Sequence, residues 1–391
     1  MTRIPPIRFM HAAHGGPMPF DQKDLHTALP MTRPSGPAAR SDITYEAYLE
    51  AVKLFVLGHW AQIQEIIASN GFDPAEIRQM DVIAEKHGSD YHPARIQLSF
   101  QHGSMSFVVN VALSERGIQR LTQDFLTLDR LHGTFARCFV PKVYCQGVTQ
   151  VKIQTGGLVP AHMFLAEWFQ DFSEFHVSLK DEKPILVLWN MEAGYLALTQ
   201  GQAEHIYRQA AFILTYYYNP ASHEEIFPWH HAAGDFVART LAESVDVKLV
   251  TVRQYASRWM FAEELPGMTL QALLMFLTNL TIRMRLDRLD GIGDIVWVGQ
   301  HCVHATLHGF FAALREKIRE GRLKPRMLED FVTLLKGLSP EELAEAFQTT
   351  VASCDENAPD IPVILENLVD HILVVYRLFQ HLAEPFLQVE N

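Results

Sequence analysis

The chain is short of several things, and each shortage excludes a class of protein. It holds 4 cysteines in 391 residues (Cys138, Cys145, Cys302 and Cys354) and no C-x-x-C pair, so a disulfide framework is excluded. That usage fits a reducing compartment, and a cytoplasmic location is expected. No run of 18 apolar residues occurs, and no short apolar core follows the first basic residues. Neither a membrane span nor a secretory leader is expected. Positive charge is scarce, with 33 Lys+Arg against 45 Asp+Glu and a net charge of −12. That excludes a surface that clamps nucleic acid along its length and still leaves room for a local basic pocket. G-x-S-x-G, a Walker phosphate loop, G-x-G-x-x-G opening a helix and H-E-x-x-H are all missing, which removes the commonest hydrolase, dinucleotide and zinc-hydrolase readings. No internal repeat is found. What remains is an ordinary globular composition, 48% apolar and 20% charged, long enough for about two to three domain equivalents.

Proline is unevenly spread. Seven of the 20 prolines (Pro5, Pro6, Pro17, Pro19, Pro30, Pro34 and Pro37) lie in residues 1–40, so this arm is expected to be extended or mobile unless it packs on the body. A helix is expected over 44–69, where Tyr48, Val52, Phe55, His59, Ile63 and Ile66 share one face, with Thr44 as N-cap and Asn70-Gly71 as stop. The period then changes. Val82–Ala84, Ala94–Phe100 and Ser106–Leu113 read as strands, the last two joined by a turn at Gln101-His102-Gly103-Ser104. Residues 115–132 read as a helix, 140–144 and 163–169 as strands, and Val177–Trp189 as a hairpin. Beyond 200 the periodicity is mainly helical (267–286, 300–318, 326–336, 340–350 and 361–383), interrupted by a strand candidate at Val247–Arg253 and a Gly-rich turn at Asp290–Asp294. A β-rich half followed by an α-rich half is α+β logic.

One segment carries a sharper signal. Phe227-Pro228-Trp229-His230-His231-Ala232-Ala233-Gly234-Asp235-Phe236-Val237-Ala238-Arg239 resembles the catalytic loop H-G-D-x-H-x-G-N, with its following strand, of the aminoglycoside phosphotransferase and choline kinase branch of the protein-kinase-like superfamily. The order of elements resembles the same fold over roughly residues 80–320. The resemblance implies a two-lobe protein-kinase-like α+β fold, with a small β-rich N-lobe and a larger helical C-lobe. The boundaries are 1–40 for a mobile Pro-rich arm, 41–74 for a helical lead-in, 75–165 for the N-lobe, and 166–391 for the C-lobe with its catalytic-like loop. It places Asp235 at a metal-binding position, His230 at the catalytic carboxylate position, and nucleotide or anion contacts at Lys86, Arg95, Asn110 and Glu167. The cofactor is unknown; Mg2+ and a nucleotide are the pair the resemblance implies.

The departures define the expected function. Phosphoryl transfer rests on charge at a few positions. Asn110 stands where the resemblance requires the phosphate-binding Lys, Asp124 where a Glu should pair that Lys, His230 for the catalytic Asp, and Thr251, with Arg253 close by, for the second metal-binding Asp. The expectation is a degenerate, pseudokinase-like protein that binds a small ligand or partner in the interlobe cleft. The alternative is an active atypical small-molecule kinase or a metal-dependent enzyme using His230 as base and Asp235 as ligand. Other clusters have plainer readings. His301, His304 and His308 share a helix face and are read as a polar seam between helices rather than a metal site. Asp287, Asp290 and Asp294 beside Arg283, Arg285 and Arg288 are read as a salt-bridged turn. Lys86-His87-Gly88-Ser89 holds one glycine and is read as a hairpin connection. A homo-oligomer through the last helix stays open; no nucleic-acid or membrane partner is expected.

Overall fold

The computed structural model describes residues 4–33, 36–85, 91–181, 183–190, 194–229, 234–241, 244–259 and 267–382. The chain divides into two compact units, Met1–Asp171 with Met191–Gly194, and Phe172–Asn190 with Tyr195–Asn391. It is a mixed α/β protein. Among the described residues no helix is long and apolar enough to cross a membrane.

The first unit is built on β1 (Ile7–His11), β2 (Met18–Pro19), a short α1 (Gln22–Leu25), the ribbon β3 (Ala28–Arg33) and β4 (Gly36–Thr44), then α2 (Tyr45–Gly58), α3 (Trp60–Ser69), β5 (Gln79–Ala84), β6 (His92–Ser99), β7 (Ser104–Ala112), α4 (Glu115–Thr134), β8 (Val143–Lys152) and β9 (Leu158–Glu167). Its sheet runs β2-β1-β5-β6-β7-β9-β8, antiparallel except for the β1–β5 pair. The alternation that marks β6 as a strand is the alternation of its burial: Ala94, Ile96 and Leu98 point inward and Arg95 and Gln97 do not. Gly103 adopts φ +92° in the turn before β7, a conformation that suits glycine.

The N-terminal arm is paired over its first stretch, a correction to the expectation of mobility. Ile7–His11 adds a parallel strand to β5, and Arg8 makes two hydrogen bonds of 2.7 Å to the Asp81 carboxylate. The single helix expected over 44–69 is two. Thr44 caps the first, its hydroxyl accepting from Ala47 N. Gly58, the weakest helix former in the run, ends it, and His59 leaves the helical region at φ −107°, ψ 16°. Tyr48, Val52, Phe55 and Ile63 are buried against the sheet residues Val82, Ile96, Val109 and Leu165.

The second unit contains β10 (Ser173–Lys180), β11 (Lys183–Asn190), β12 (Gly194–Ala197), α5 (Gln200–Tyr217), β13 (Glu224–Ile226), β14 (Phe236–Leu241), β15 (Ser244–Leu249), β16 (Tyr255–Ser257), α6 (Met268–Arg283), β17 (Leu286–Arg288), β18 (Ile295–Trp297), α7 (His301–Arg319), α8 (Pro325–Gly337), α9 (Pro340–Ala352) and α10 (Ile361–Gln380). A sheet of order β12-β11-β10-β14-β15 stands beside the helices, with two ribbons, β13–β16 and β17–β18. The helices expected from periodicity are all present. The strand expected over 247–253 begins earlier and stops at Leu249, with one further bond in the β14–β15 register from Val250 N to Asp235 O (2.7 Å).

Tyr216, Tyr217 and Tyr218 are buried at the end of α5, where the last carbonyls of a helix lack partners. Lys317, itself buried on α7, supplies them: its Nζ donates to Tyr216 O and Tyr218 O, each at 2.6 Å. Burial pulls this ammonium down to about 7. Replacing it by Met keeps the stem and removes the donor. Lys317→Met is expected to cost about 3 kcal/mol, the penalty for stranding two buried carbonyls. Chemical denaturation checks it; an unchanged midpoint would show that the carbonyls find other partners.

Candidate functional site

The site is assembled around the turn that enters β14. Gly234 has φ +70°, a left-handed conformation that favours glycine, and the Glu174 carboxylate lies against it, 2.8 Å from where a Cβ would stand. Asp235 follows, 1% exposed, with its carbonyl taking the hydrogen bond from Val250 N. Its Oδ2 is ion-paired with Arg253 Nη1. Arg253 comes just after the buried Val252, and its Nη1 is also 3.5 Å from Pro228 O. The expected metal ligand is therefore paired with a guanidinium through its Oδ2.

On the other side of Gly234, β10 contributes Glu174 and His176. Strand register sets this neighbourhood: Glu174 faces Val237 across the β10–β14 pair. His176 Nε2 is 3.4 Å from Glu174 Oε2, and its Nδ1 is 3.9 Å from Asp287 Oδ1. Its ring packs on Trp189 at 4.4 Å between centroids, and a Cβ at Gly291 would lie 3.0 Å from it. Burial pulls the imidazole pKa down, but the neighbouring Asp287 and Glu174 carboxylates outweigh it, and the net shift is upward. Asp287 is fully buried and accepts from two backbone amides, Val177 N at 2.9 Å and Arg288 N at 2.7 Å. It pins the β17 turn to β10 through backbone amides, whereas Arg283 pairs with Asp360 and Arg288 donates to Gly293 O, so the described contacts of this turn are not the Asp–Arg salt bridges expected. Among the described residues no group of three or more His, Cys, Asp or Glu side chains is arranged to hold a metal.

The result is a line of alternating charge, Arg253–Asp235 on one side of Gly234 and Glu174–His176–Asp287 on the other. Asp235, His176 and Asp287 are buried, whereas the Glu174 carboxylate is 36% exposed and the Arg253 side chain 24%. The partly exposed groups are one carboxylate and one guanidinium, a pair chemically suited to hydrogen bonding with polar molecules. Glu174, His176 and Asp287 were missed as a set in the sequence, since nothing in their spacing signals that a strand and a distant turn would meet.

The other expected contacts lie in the first unit. Arg95 is bound to Glu85, Nε to Oε1 at 2.8 Å, and stacks at 5.1 Å over Trp168. Burial raises Glu85 while Arg95 opposes it. Asn110 is half-buried on β7, opposite Phe164 of β9. Glu167 ends β9, where its carboxylate accepts from Lys142 N at 3.2 Å and its own amide donates to Lys142 O at 2.8 Å. Asp124 is buried on α4 and accepts from Tyr91 OH at 3.0 Å. Arg95 and Glu167 are thus held in local pairings within their own sheet. Lys86 and His230 lie outside the described residues.

A second ionic cluster had no signal in the sequence. Glu225 on β13 is buried and faces Arg258 at 3.6 Å; burial pushes its carboxyl up to about 7, with Arg258 opposing. Arg258 lies 3.8 Å over the Phe227 ring and donates to Ser353 Oγ at 2.9 Å, and Arg283 lies 5.1 Å over the same ring while pairing with Asp360. Phe227 therefore carries two guanidinium groups on its ring.

No protein-family model matches the chain, and no curated protein matches it.

Proposed function

We propose that the protein is a degenerate, pseudokinase-like member of the phosphotransferase-like fold, one that binds a small polar ligand without ordinary kinase turnover. Two features support the fold half of this reading. Three antiparallel strands, a helix and two more strands close into one sheet in the first unit, and a helical unit with a short β14–β15 hairpin after the Gly234 turn follows. The observation that carries the functional half is the Arg253–Asp235 ion pair. On this reading a guanidinium stands beside the carboxylate that would hold Mg2+, and it supplies charge without the open coordination positions that bridge phosphates. Asn110 in place of a phosphate-binding Lys removes a second charge.

The test is a calorimetric titration of ATP with and without Mg2+, joined to a phosphotransfer assay over varied small acceptors. The expected result is no Mg2+-dependent turnover. Turnover abolished by Asp235→Ala would overturn the reading in favour of an active atypical kinase. A second arm uses Arg253→Ala. Removing the guanidinium leaves a buried carboxylate uncompensated, at an expected cost of about 3 kcal/mol or more. Mn2+ should then raise the melting temperature of Arg253→Ala and leave that of the unaltered protein where it was. Equal stabilisation of both would place the metal elsewhere.

A further inference from the structure

The histidine seam on α7 has a feature its spacing did not disclose. At Gly309 this helix touches the backbone of α5: a Cβ there would come into hard contact with Arg208 O and within 2.9 Å of Phe212 N. Close approach of two backbones brings the side chains flanking the crossing together. On one side they form a pocket of about 190 Å3, lined by Arg208, Gln209 and Phe212 of α5 and His308, Ala312 and Arg315 of α7. At ~30 Å3 per water this is room for about six waters, the size of a small functional group rather than a polymer. Two arginines and an imidazole converge there, and none of the six lining residues is a carboxylate. In a chain of net charge −12 that is a local inversion of sign.

We propose that this pocket binds the phosphoryl group of a small organic phosphate. Arg208 and Arg315 approach from opposite helices with planar donors suited to oxyanions, and His308 adds a third donor. A phosphate monoester carries roughly −1.5 to −2 charges at pH 7 and three acceptor oxygens, which matches three convergent donors better than a carboxylate does. Phe212 and Ala312 offer an apolar wall for the organic part. Gln209 fixes the α5 face, its amide engaged with Val245 O and with Val247 N of β15.

The groups facing His308 are His304 and Arg315 on its own helix and Arg208 on α5, and the His304 ring lies at 4.6 Å. Burial, then His304, Arg208 and Arg315, hold its pKa below the ordinary histidine value. One helical turn before Arg208, Glu204 accepts from Gln200 Nε2 at 2.8 Å and opposes the lowering of its neighbour His205. A bound dianion reverses the field at His308. This site is independent of the reading of Asp235 and Arg253, and its failure would leave that reading untouched.

The experiment titrates phenyl phosphate and, separately, inorganic phosphate into the full chain by calorimetry, with the His308 imidazole followed by NMR. Saturable binding is expected, with the His308 titration moving to higher pH in its presence. Arg208→Gln and Arg315→Gln should each weaken binding about tenfold or more, as loss of a charged hydrogen bond does. Arg326→Gln, on the 82% exposed side of α8, should change nothing. Tighter binding of phenyl phosphate supports an organic phosphate through Phe212; equal affinities support the phosphoryl site and assign its source to free phosphate. Absence of saturation at millimolar ligand, or equal weakening in Arg326→Gln, overturns the proposal. Unchanged circular dichroism in the Gln variants separates lost binding from lost folding.

Discussion

Gly309→Ala is expected to destabilise the second unit by about 3 kcal/mol or more, the upper end for overpacking, although alanine is the better helix former by about 1 kcal/mol. The sign is decided by what the new methyl meets. Its neighbours are the Arg208 carbonyl and the Phe212 amide, backbone atoms of a helix interior that no rotamer change can move. α5 and α7 would have to separate, and with them Phe310, Phe311 and Leu314, which are buried on α7. For a unit of this size the loss corresponds to roughly 10 °C, at about 2–4 °C per kcal/mol. Thermal unfolding checks it. Ala312, at the same crossing and half-buried, is the comparison: Ala312→Gly should cost about 1 kcal/mol, the helix-propensity difference alone. If Gly309→Ala melts within a degree or two of the unaltered protein, the backbone contact is not as close as described.

Acid should unfold the protein through His371 well before its carboxylates are all protonated. This imidazole is fully buried on α10, between Trp297 at 5.6 Å and Phe347 at 5.1 Å. Arg285 Nη1 can only donate, so at 3.3 Å the His371 Nδ1 must accept, which leaves the proton on Nε2 facing Thr281 Oγ1 at 3.2 Å. Protonating Nδ1 would set two donors against each other in an apolar setting. Burial first, and Arg285 second, bring the pKa down to about 3. The unfolded chain binds this proton near pH 6.5, so between about 3 and 6.5 the unfolded state holds more protons than the native one. Stability is therefore complete above that window and falls as pH drops through it, by as much as 1.36 kcal/mol per unit and about 5 kcal/mol across it. His176, raised by Asp287 and Glu174, has the opposite sign: it stabilises at low pH and its contribution is lost as pH rises. Urea unfolding at several pH values from 7.5 to 4 should show a steep fall in the unaltered protein. In His371→Gln, which can still accept from Arg285 and donate to Thr281, the slope should be visibly shallower. Parallel curves would remove His371 from the account.

The elements were legible because their signals are local. Thr44 caps α2 through a contact three residues away, and β6 shows its alternation in eight consecutive residues. Two features of the first unit are less legible in the sequence. Gly58-His59 was read through as helix because the apolar face continues on both sides of it. The first prolines were read as a mobile arm because a parallel strand pairing to β5, seventy-odd residues on, leaves no trace in composition.

The candidate site was legible at one point. Gly234-Asp235 stands out, and Gly234 has a positive φ that favours glycine. What Asp235 is bound to could not be read, since Arg253 is 18 residues distant and its role depends on where β15 ends. Arg95 looked like a spare cation until the sheet set Glu85 beside it.

By itself the sequence determined the succession of helices and strands, the caps and the turns, because spacing and backbone preference act over a few residues. Tertiary structure alone decided which charged groups meet which partners. Lys317 serves carbonyls about a hundred residues away, and Arg208 and Arg315 converge only because Gly309 lets two helices touch. The physical reason is that a charge takes its meaning from burial and from its partner, and both are set when distant segments meet.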